Sequence, residues 1–302
     1  MTTQVIIDGS NQWYRAYAVG SAHMGEGPGG PVSIMTYMLR RECREYGSNN
    51  VIVCWDAGDG GRKTLDPTYK ANRSPIPGVW ENIVYMKAMV DALGIRNAHK
   101  KGYEADDVCG SLAARASKTE DDKAYILSFD KDFYQLVNDS VCILRPGRTV
   151  HGKKIPRKVI DRGVVIEEFG CAPEKLTLFK AFDGDKSDNI PRLPVRFMPK
   201  FKESLFKVLS LSNNLNDFYN HLDIFDDKYH AELLKFRDRA ELNKKLVDIQ
   251  IHIDVSVEKP PLDGQQFENL CKEMEISRLK FDDWINMPKE PAPPPPTQNS
   301  LF

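Results

Sequence analysis

Gln4-Val5-Ile6-Ile7-Asp8-Gly9-Ser10 is a short apolar run closed by an acid and a glycine. Such a run reads as a buried parallel strand, and an acid at its carboxyl end lies where these sheets present functional side chains. The design recurs. Val51-Ile52-Val53-Cys54-Trp55 closes on Asp56, and Ala124-Tyr125-Ile126-Leu127-Ser128-Phe129 closes on Asp130. Val141-Cys142-Ile143-Leu144 supplies a further strand. Between the strands, Pro31 to Tyr46 carries helical periodicity (Ile34, Tyr37, Met38, Arg41). Val79 to Leu93 does the same (Ile83, Met86, Val90, Leu93) before Gly94 ends it. Strands alternating with helices predict an α/β fold, a parallel sheet with helices on both faces. Ligands bind beyond the carboxyl ends of such strands, so Asp8, Asp56 and Asp130 are expected to gather there.

Two acidic clusters add to these strand ends. Tyr103-Glu104-Ala105-Asp106-Asp107 places three carboxylates within four residues, directly after Lys100, Lys101 and Gly102. Like charges this close repel unless something cationic holds them. On a regular helix Glu104 and Asp107 share a face while Asp106 points away, so convergence requires Glu104 to precede the helix. The spacing therefore predicts a loop-to-helix junction, with an acidic first turn favoured by the helix dipole as the alternative reading. Asp130-Lys131-Asp132 sets two acids on one side of an extended backbone. A second dense stretch, Asp183-Gly184-Asp185-Lys186-Ser187-Asp188-Asn189-Ile190-Pro191, reads as a loop whose spacing is not that of an EF-hand.

The chain has 302 residues, enough for one large or two ordinary domains, with 41% hydrophobic and 28% charged residues. Lys+Arg 42 against Asp+Glu 43 leaves a formal charge of -1, so a nucleic-acid partner must be held by local patches. Two are present. Gly60 to Pro77 holds Arg62, Lys63, Tyr69, Lys70 and Arg73, combining an aromatic stacking surface with phosphate-binding cations. Arg145 to Arg162 is almost free of acids and carries Arg148, His151, Lys153, Lys154, Arg157 and Lys158. The six cysteines show no CxxC pair, which predicts reduced thiols. With no signal-peptide pattern and no apolar stretch near the roughly 20 residues that span a bilayer, a cytoplasmic protein is expected.

Taken in order, six motifs resemble those of the flap endonuclease and 5′-3′ exonuclease family, which includes the 5′ nuclease domain of bacterial DNA polymerase I and phage 5′ nucleases such as phage RNase H. They are Asp8-Gly9, Asp56-Ala57, Tyr69-Lys70-Ala71-Asn72-Arg73, Tyr103 to Asp107, Ser128-Phe129-Asp130-Lys131-Asp132, and Gly184 to Pro191. Leu246-Val247-Asp248-Ile249 with Asp254-Val255 extends the likeness to about residue 284.

The resemblance implies a PIN-like 5′ nuclease core over 1–175 with an arch at about 60–100, then a helix-three-turn-helix duplex-binding subdomain over 176–287. It implies two Mg2+ ions, for which Mn2+ substitutes, since hard cations prefer oxygen ligands. Asp8, Asp56, Glu104 and Asp106 would surround one ion and Asp130, Asp132 and Asp185 the other, with Asp107 and Asp188 in support. Lys70 and Arg73 match positions that contact the scissile phosphate, and Tyr69 matches one near the unpaired nucleotide. Lys70, Arg73, Asp8, Asp56, Asp130 and Asp185 form the expected catalytic set. One departure stands out: Arg192 to Lys200 contains no glycine where the family has a glycine-rich hairpin that binds duplex phosphate. Side-chain charge from Arg192, Arg196, Lys200 and Lys202 is expected to substitute.

Pro288 to Thr297 reads as a polyproline spacer over the start of a disordered tail at 288–302. Gln298-Asn299-Ser300-Leu301-Phe302 resembles the peptide by which bacterial-type proteins bind a sliding clamp, with Gln298, Ser300, Leu301 and Phe302 as its contacts. The expected function is a structure-specific, metal-dependent 5′ nuclease in replication and repair. It would act as a monomer on branched or nicked DNA and RNA-DNA hybrids, with the clamp and a single-stranded DNA-binding protein as partners and no membrane. The alternatives are a PIN-type ribonuclease for single-stranded RNA and a non-catalytic clamp-associated DNA-binding factor.

Overall fold

The computed structural model describes residues 3–23, 27–117, 119, 121–150 and 153–287. The tail residues Gln298, Ser300, Leu301 and Phe302 lie outside them.

Five parallel strands form the centre of a seven-stranded sheet: β1 (Thr3–Asp8), β2 (Val51–Trp55), β3 (Arg96–His99), β4 (Lys123–Leu127) and β5 (Val141–Arg145). β6 (Arg148–Val150) and β7 (Lys153–Ile155) make a separate hairpin, while β8 (Lys158–Ile160) and β9 (Val257–Glu258) return to the sheet. The order is β8-β5-β4-β1-β2-β3-β9, and both edge strands run antiparallel. The sheet is thus mixed, which corrects the expectation of a parallel one. Neither edge strand carries the apolar run that marks a buried parallel strand, because an edge pairs on one side only.

The helices are α1 (Gly9–His23), α2 (Gly29–Tyr46), α3 (Arg62–Leu65), α4 (Ile83–Ala92), α5 (Ala105–Ala116), α6 (Arg162–Phe169) and α7 (Leu176–Asp183). After them come α8 (Pro199–Leu211), α9 (Leu215–Tyr219), α10 (His230–Lys235), α11 (Arg237–Val247), α12 (Gly264–Glu273) and α13 (Phe281–Ile285).

Alternation along β1 divides the core in two. Val5 and Ile7 face a cluster with Trp13 of α1, Met35 and Leu39 of α2, and Met86 and Val90 of α4. Ile6 faces the other way, toward Val108, Cys109 and Leu112 of α5. Each such fully buried side chain contributes about 1.5–3 kcal/mol, so shifting β1 by one residue would exchange both faces at once. The second cluster continues without a break into α7, α8 and α11 through Phe182, Leu205 and Ala240. The helical module is therefore seated on the sheet. By contrast, Phe267, Leu270 and Trp284 of α12 and α13 lie in the first cluster, against α2 and α4. Residues 257–285, grouped with the helical subdomain from sequence, are in contact with the sheet and its first helical layer.

Within the span 60–100 expected as an arch, α4 packs into the first cluster and β3 is a strand of the sheet, while 60–82 holds the short helix α3 and a series of turns. All six cysteines are free, five of them buried and Cys142 half-buried. No described helix is long and apolar enough to cross a membrane.

Candidate active site

Parallel pairing aligns the strand ends. Asp8 stands opposite Cys54 in the β1–β2 register, and Ile7 opposite Leu127 in β1–β4. Asp8, Asp56 and Asp130 consequently emerge along one edge of the sheet. Two serines fix them: Ser128 donates from Oγ to Asp8 (2.9 Å) and accepts the Asp130 N–H (3.0 Å), while Ser10 Oγ accepts the Asp56 N–H (3.0 Å).

The loop-to-helix junction falls at Glu104, whose φ -77 and ψ 158 are extended and which stands just before α5 without a side-chain capping bond. Asp56 reaches across to accept the Ala105 N–H at 2.7 Å, so β2 orients the start of α5. A close crossing of Gly58 and Gly102 holds this geometry. A Cβ on Gly58 would lie 2.2 Å from the Gly102 carbonyl carbon, while Gly102 N–H donates to Ala57 O at 2.8 Å.

Asp8, Asp56, Glu104, Asp106 and Asp130 line one cleft of about 480 Å³ together with Lys70 and Arg73. Burial pushes the Asp8 carboxyl up to about 7, reinforced by repulsion from Asp56 and Asp130, although the Asn11 N–H opposes the shift. Burial, then Asp8 and Asp130, also push Asp106 well up. Glu104 is raised chiefly by burial, with Lys70 and Arg62 opposing. Lys70 Nζ lies 2.5 Å from Glu104. Its backbone has φ 55, a left-handed conformation costly for a side-chain-bearing residue, held by its N–H donating to Asp188 O at 2.9 Å.

A wider cleft of about 1230 Å³ adjoins the first and shares Asp130 with it. Asp132, Lys180, Asp185 and Arg192 line it. Asp185 sits in a tight loop, exchanging backbone hydrogen bonds with Ile190 (3.0 and 2.8 Å). Gly184 makes that turn possible, with φ 66 and only 2.5 Å from a would-be Cβ to Ile190 O. Lys180 Nζ donates to Asp132 and, at 3.1 Å, to Asp185. Burial opposes ionisation of Asp185, but Lys180 and Ser187 hold its carboxyl below the usual range. Asp132 is pushed up to about 7 by burial and Asp130 despite Lys180. Among the described residues, no group of three or more His, Cys, Asp or Glu side chains is drawn together as a metal-holding cluster.

Asp107, Asp188 and Tyr69 line neither cleft. Asp107 is fully buried in a bidentate pair with Arg62, 2.8 Å for each bond, and lines neither cleft. Asp188 is likewise buried, paired with Arg73 Nη2 at 2.5 Å. Tyr69 is 3% exposed, packed with Ile190, Leu246 and Val247, and donates its hydroxyl to Glu104 at 3.1 Å. Little of the ring is therefore open at the surface. The exposed aromatic pair at the first cleft is Tyr14 and Trp80, with ring centroids 6.4 Å apart.

Arg192, Arg196, Lys200 and Lys202 are all exposed on the loop before α8 and its first turn. Arg192 pairs with Asp183 at 3.1 Å and Lys200 with Asp226 at 3.0 Å.

Arg15 and Lys180 escaped the sequence reading, and Arg62, expected as a phosphate-binding cation, is instead the buried partner of Asp107. Arg15 lines both clefts, its guanidinium 3.6 Å from the Phe129 ring centre. For Lys180 a signal existed: a lone cation within the apolar run Leu178-Phe179-Lys180-Ala181-Phe182.

Fold and cleft together define a mixed α/β sheet flanked by helices, with acids along one sheet edge and a helical module beside them, as in flap-endonuclease-fold nucleases. The chain belongs to the 5′-3′ exonuclease family: residues 3–170 match its N-terminal resolvase-like domain. The 5′-3′ exonuclease of Buchnera aphidicola subsp. Acyrthosiphon pisum is 30% identical over 268 residues, covering 84% of this chain and 88% of that protein. The thermostable DNA polymerase I of Thermus thermophilus is 28% identical over 310 residues, covering 98% of this chain and 35% of the polymerase. The chain thus spans about a third of that polymerase's length. Among solved structures, the bacteriophage T5 D15 flap endonuclease, crystallised with DNA and metal ions, superposes with a TM-score of 0.63 at 19% identity. It covers 82% of this chain and 89% of the phage chain.

Proposed function

We propose that this chain is a structure-specific 5′ nuclease, dependent on divalent cations, that cuts 5′ flaps and removes RNA primers by phosphodiester hydrolysis. The observation that carries the reading is the convergence of Asp8, Asp56, Glu104, Asp106 and Asp130 with Lys70 and Arg73 on one cleft. The donor set fits magnesium, with manganese as substitute: it is all carboxylate oxygen, and burial together with neighbouring acids raises the carboxyls of Asp8 and Asp106, a cost that a bound cation would offset. Asp8, Asp56, Glu104 and Asp106 would hold one ion, and Asp130, Asp132 and Asp185 the second. Bound there, the ions would lower the pKa of an attacking water and stabilise charge on the phosphoryl oxygens.

The rest falls to the chain's own side chains. Lys70 and Arg73 stand at the same cleft, where two cations would orient the scissile phosphate. Asp107 and Asp188, each paired with an arginine, serve the site by holding its loops. Tyr14 and Trp80 supply the stacking surface for an unpaired nucleotide that Tyr69 does not offer. Arg192, Arg196, Lys200 and Lys202 bind duplex phosphates by side-chain charge, with α7, the loop 184–198 and α8 as the PIN-like core's helix-three-turn-helix. The C-terminal peptide binds a sliding clamp, and a single-stranded DNA-binding protein is a further partner.

A labelled 5′-flap duplex, a nicked RNA-DNA hybrid and a single-stranded RNA, each incubated with and without Mg2+, test the reading. Cutting of flap and hybrid in Mg2+ alone is expected. Cutting of the RNA only would make the chain a single-strand ribonuclease, and cutting of nothing a DNA-binding factor.

A further inference from the structure

Lys180 is a buried cation in an otherwise apolar stretch of helix. Leu178, Phe179, Ala181 and Phe182 around it in α7 belong to the core, and Lys180 itself is 8% exposed. Taking an ammonium out of water is costly unless carboxylates compensate it. They do so here: Nζ donates to Asp132 and, at 3.1 Å, to Asp185, acids from two separate segments whose charges would otherwise repel each other.

The first cleft is different. Asp8 accepts from the Asn11 N–H and the Ser128 hydroxyl, and Asp56 from the Ala105 N–H, all of them neutral donors. Glu104 of that cleft is paired with Lys70 at 2.5 Å and Arg62 at 3.3 Å, but Asp8 and Asp56 accept from neutral donors alone, whereas Asp132 and Asp185 share one of the chain's own cations.

Building on the proposed function, we infer that Lys180 is the resident counter-ion of the Asp132–Asp185 pair, which a divalent cation must displace before that pair can bind it. The competition is geometric as well as electrostatic. A magnesium ion takes carboxylate oxygens at about 2.0–2.1 Å, and Lys180 holds one oxygen of each acid, Asp132 Oδ1 and Asp185 Oδ2. Lys180 is accordingly a positioning residue: it holds Asp132 and Asp185 together when no ion is present, and it makes the second ion bind more weakly than the first.

Titration calorimetry with Mn2+ alone, without nucleic acid, on the full chain tests this in wild type, Lys180→Met and Lys180→Arg. Wild type is expected to bind one ion tightly and a second weakly. Lys180→Met should tighten the second by roughly tenfold or more, because a charge in contact with the site is gone. Lys180→Arg, which keeps the charge, should stay near wild type. A purely structural role would lower the melting temperature of Lys180→Met in EDTA without tightening Mn2+, and that result would overturn the inference while leaving the cation site standing. Absence of Mn2+ binding in all three proteins would overturn the cation site, and this inference with it. Should Lys180→Met fail to fold, Lys180→Gln, also uncharged, is titrated in its place with the same two outcomes.

Discussion

Arg62 and Asp107 are joined by two hydrogen bonds of 2.8 Å, guanidinium to carboxylate, with both residues buried. Arg62 also donates to the carbonyls of Leu246 (3.0 Å) and Asp248 (2.8 Å), and Asp107 accepts the Gln250 N–H at 2.9 Å. One pair therefore ties α3, the first turn of α5 and the chain leaving α11 into a single unit. Removing one partner strands the other charge in the interior, which typically costs 3–5 kcal/mol. Asp107→Ala should lower unfolding free energy in urea by about that much, while the folded fraction still cuts a flap. Loss of cutting with unchanged stability would instead make Asp107 part of the cation site.

Tyr69 and Trp80 make opposite predictions. Trp80 is 43% exposed at the cleft, whereas Tyr69 is enclosed. Trp80→Ala should weaken binding of a 5′-flap duplex, measured by fluorescence anisotropy, by about 1–3 kcal/mol, the value of one stacked base. Tyr69→Phe loses only the hydroxyl contact to Glu104 and should bind as wild type does. The reverse pattern would show that Tyr69 turns outward when DNA arrives.

Stability without metal should fall as pH rises. Burial, with help from neighbouring acids, holds Asp8 and Asp132 at about 7 against an ordinary 3.8. The folded chain then keeps protons that the unfolded chain releases between about pH 4 and 7, so folding is favoured at the acid end of that window and less so at the other. Asp185 and Asp66 are depressed instead and act at lower pH with the opposite sign. In EDTA the melting temperature should drop from pH 5 to 7.5, and Mg2+ should remove the drop. A melting temperature that rises across this window in EDTA would contradict the packing of acids described here.

The parts of the site legible in the sequence are those fixed by local pattern. Asp8, Asp56 and Asp130 each close an apolar run, and Glu104 precedes its helix, which lets it meet Asp106 at one cleft. What the pattern concealed depends on distant partners. Asp107 looked like one acid among three until Arg62, 45 residues away, claimed it. Tyr69 looked exposed in a basic, irregular stretch, yet Leu246 and Val247 of α11 cover it. β3 escaped notice because Arg96-Asn97-Ala98-His99 has no apolar run and owes its place to pairing with β2. The edge strands β8 and β9, Lys158-Val159-Ile160 and Val257-Glu258, are too short to show an alternating or apolar pattern and owe their place to backbone pairing with β5 and β3.

Asp130 lines both clefts, and its backbone N–H is held by the serine that also donates to Asp8. Replacing it with asparagine keeps the shape and removes one charge from the proposed cation site. The most direct measurement is cleavage of a labelled 5′-flap duplex in Mg2+ by Asp130→Asn, with binding of the same flap recorded alongside. Abolished cutting with binding close to wild type is the predicted result. Wild-type turnover by Asp130→Asn would contradict the account.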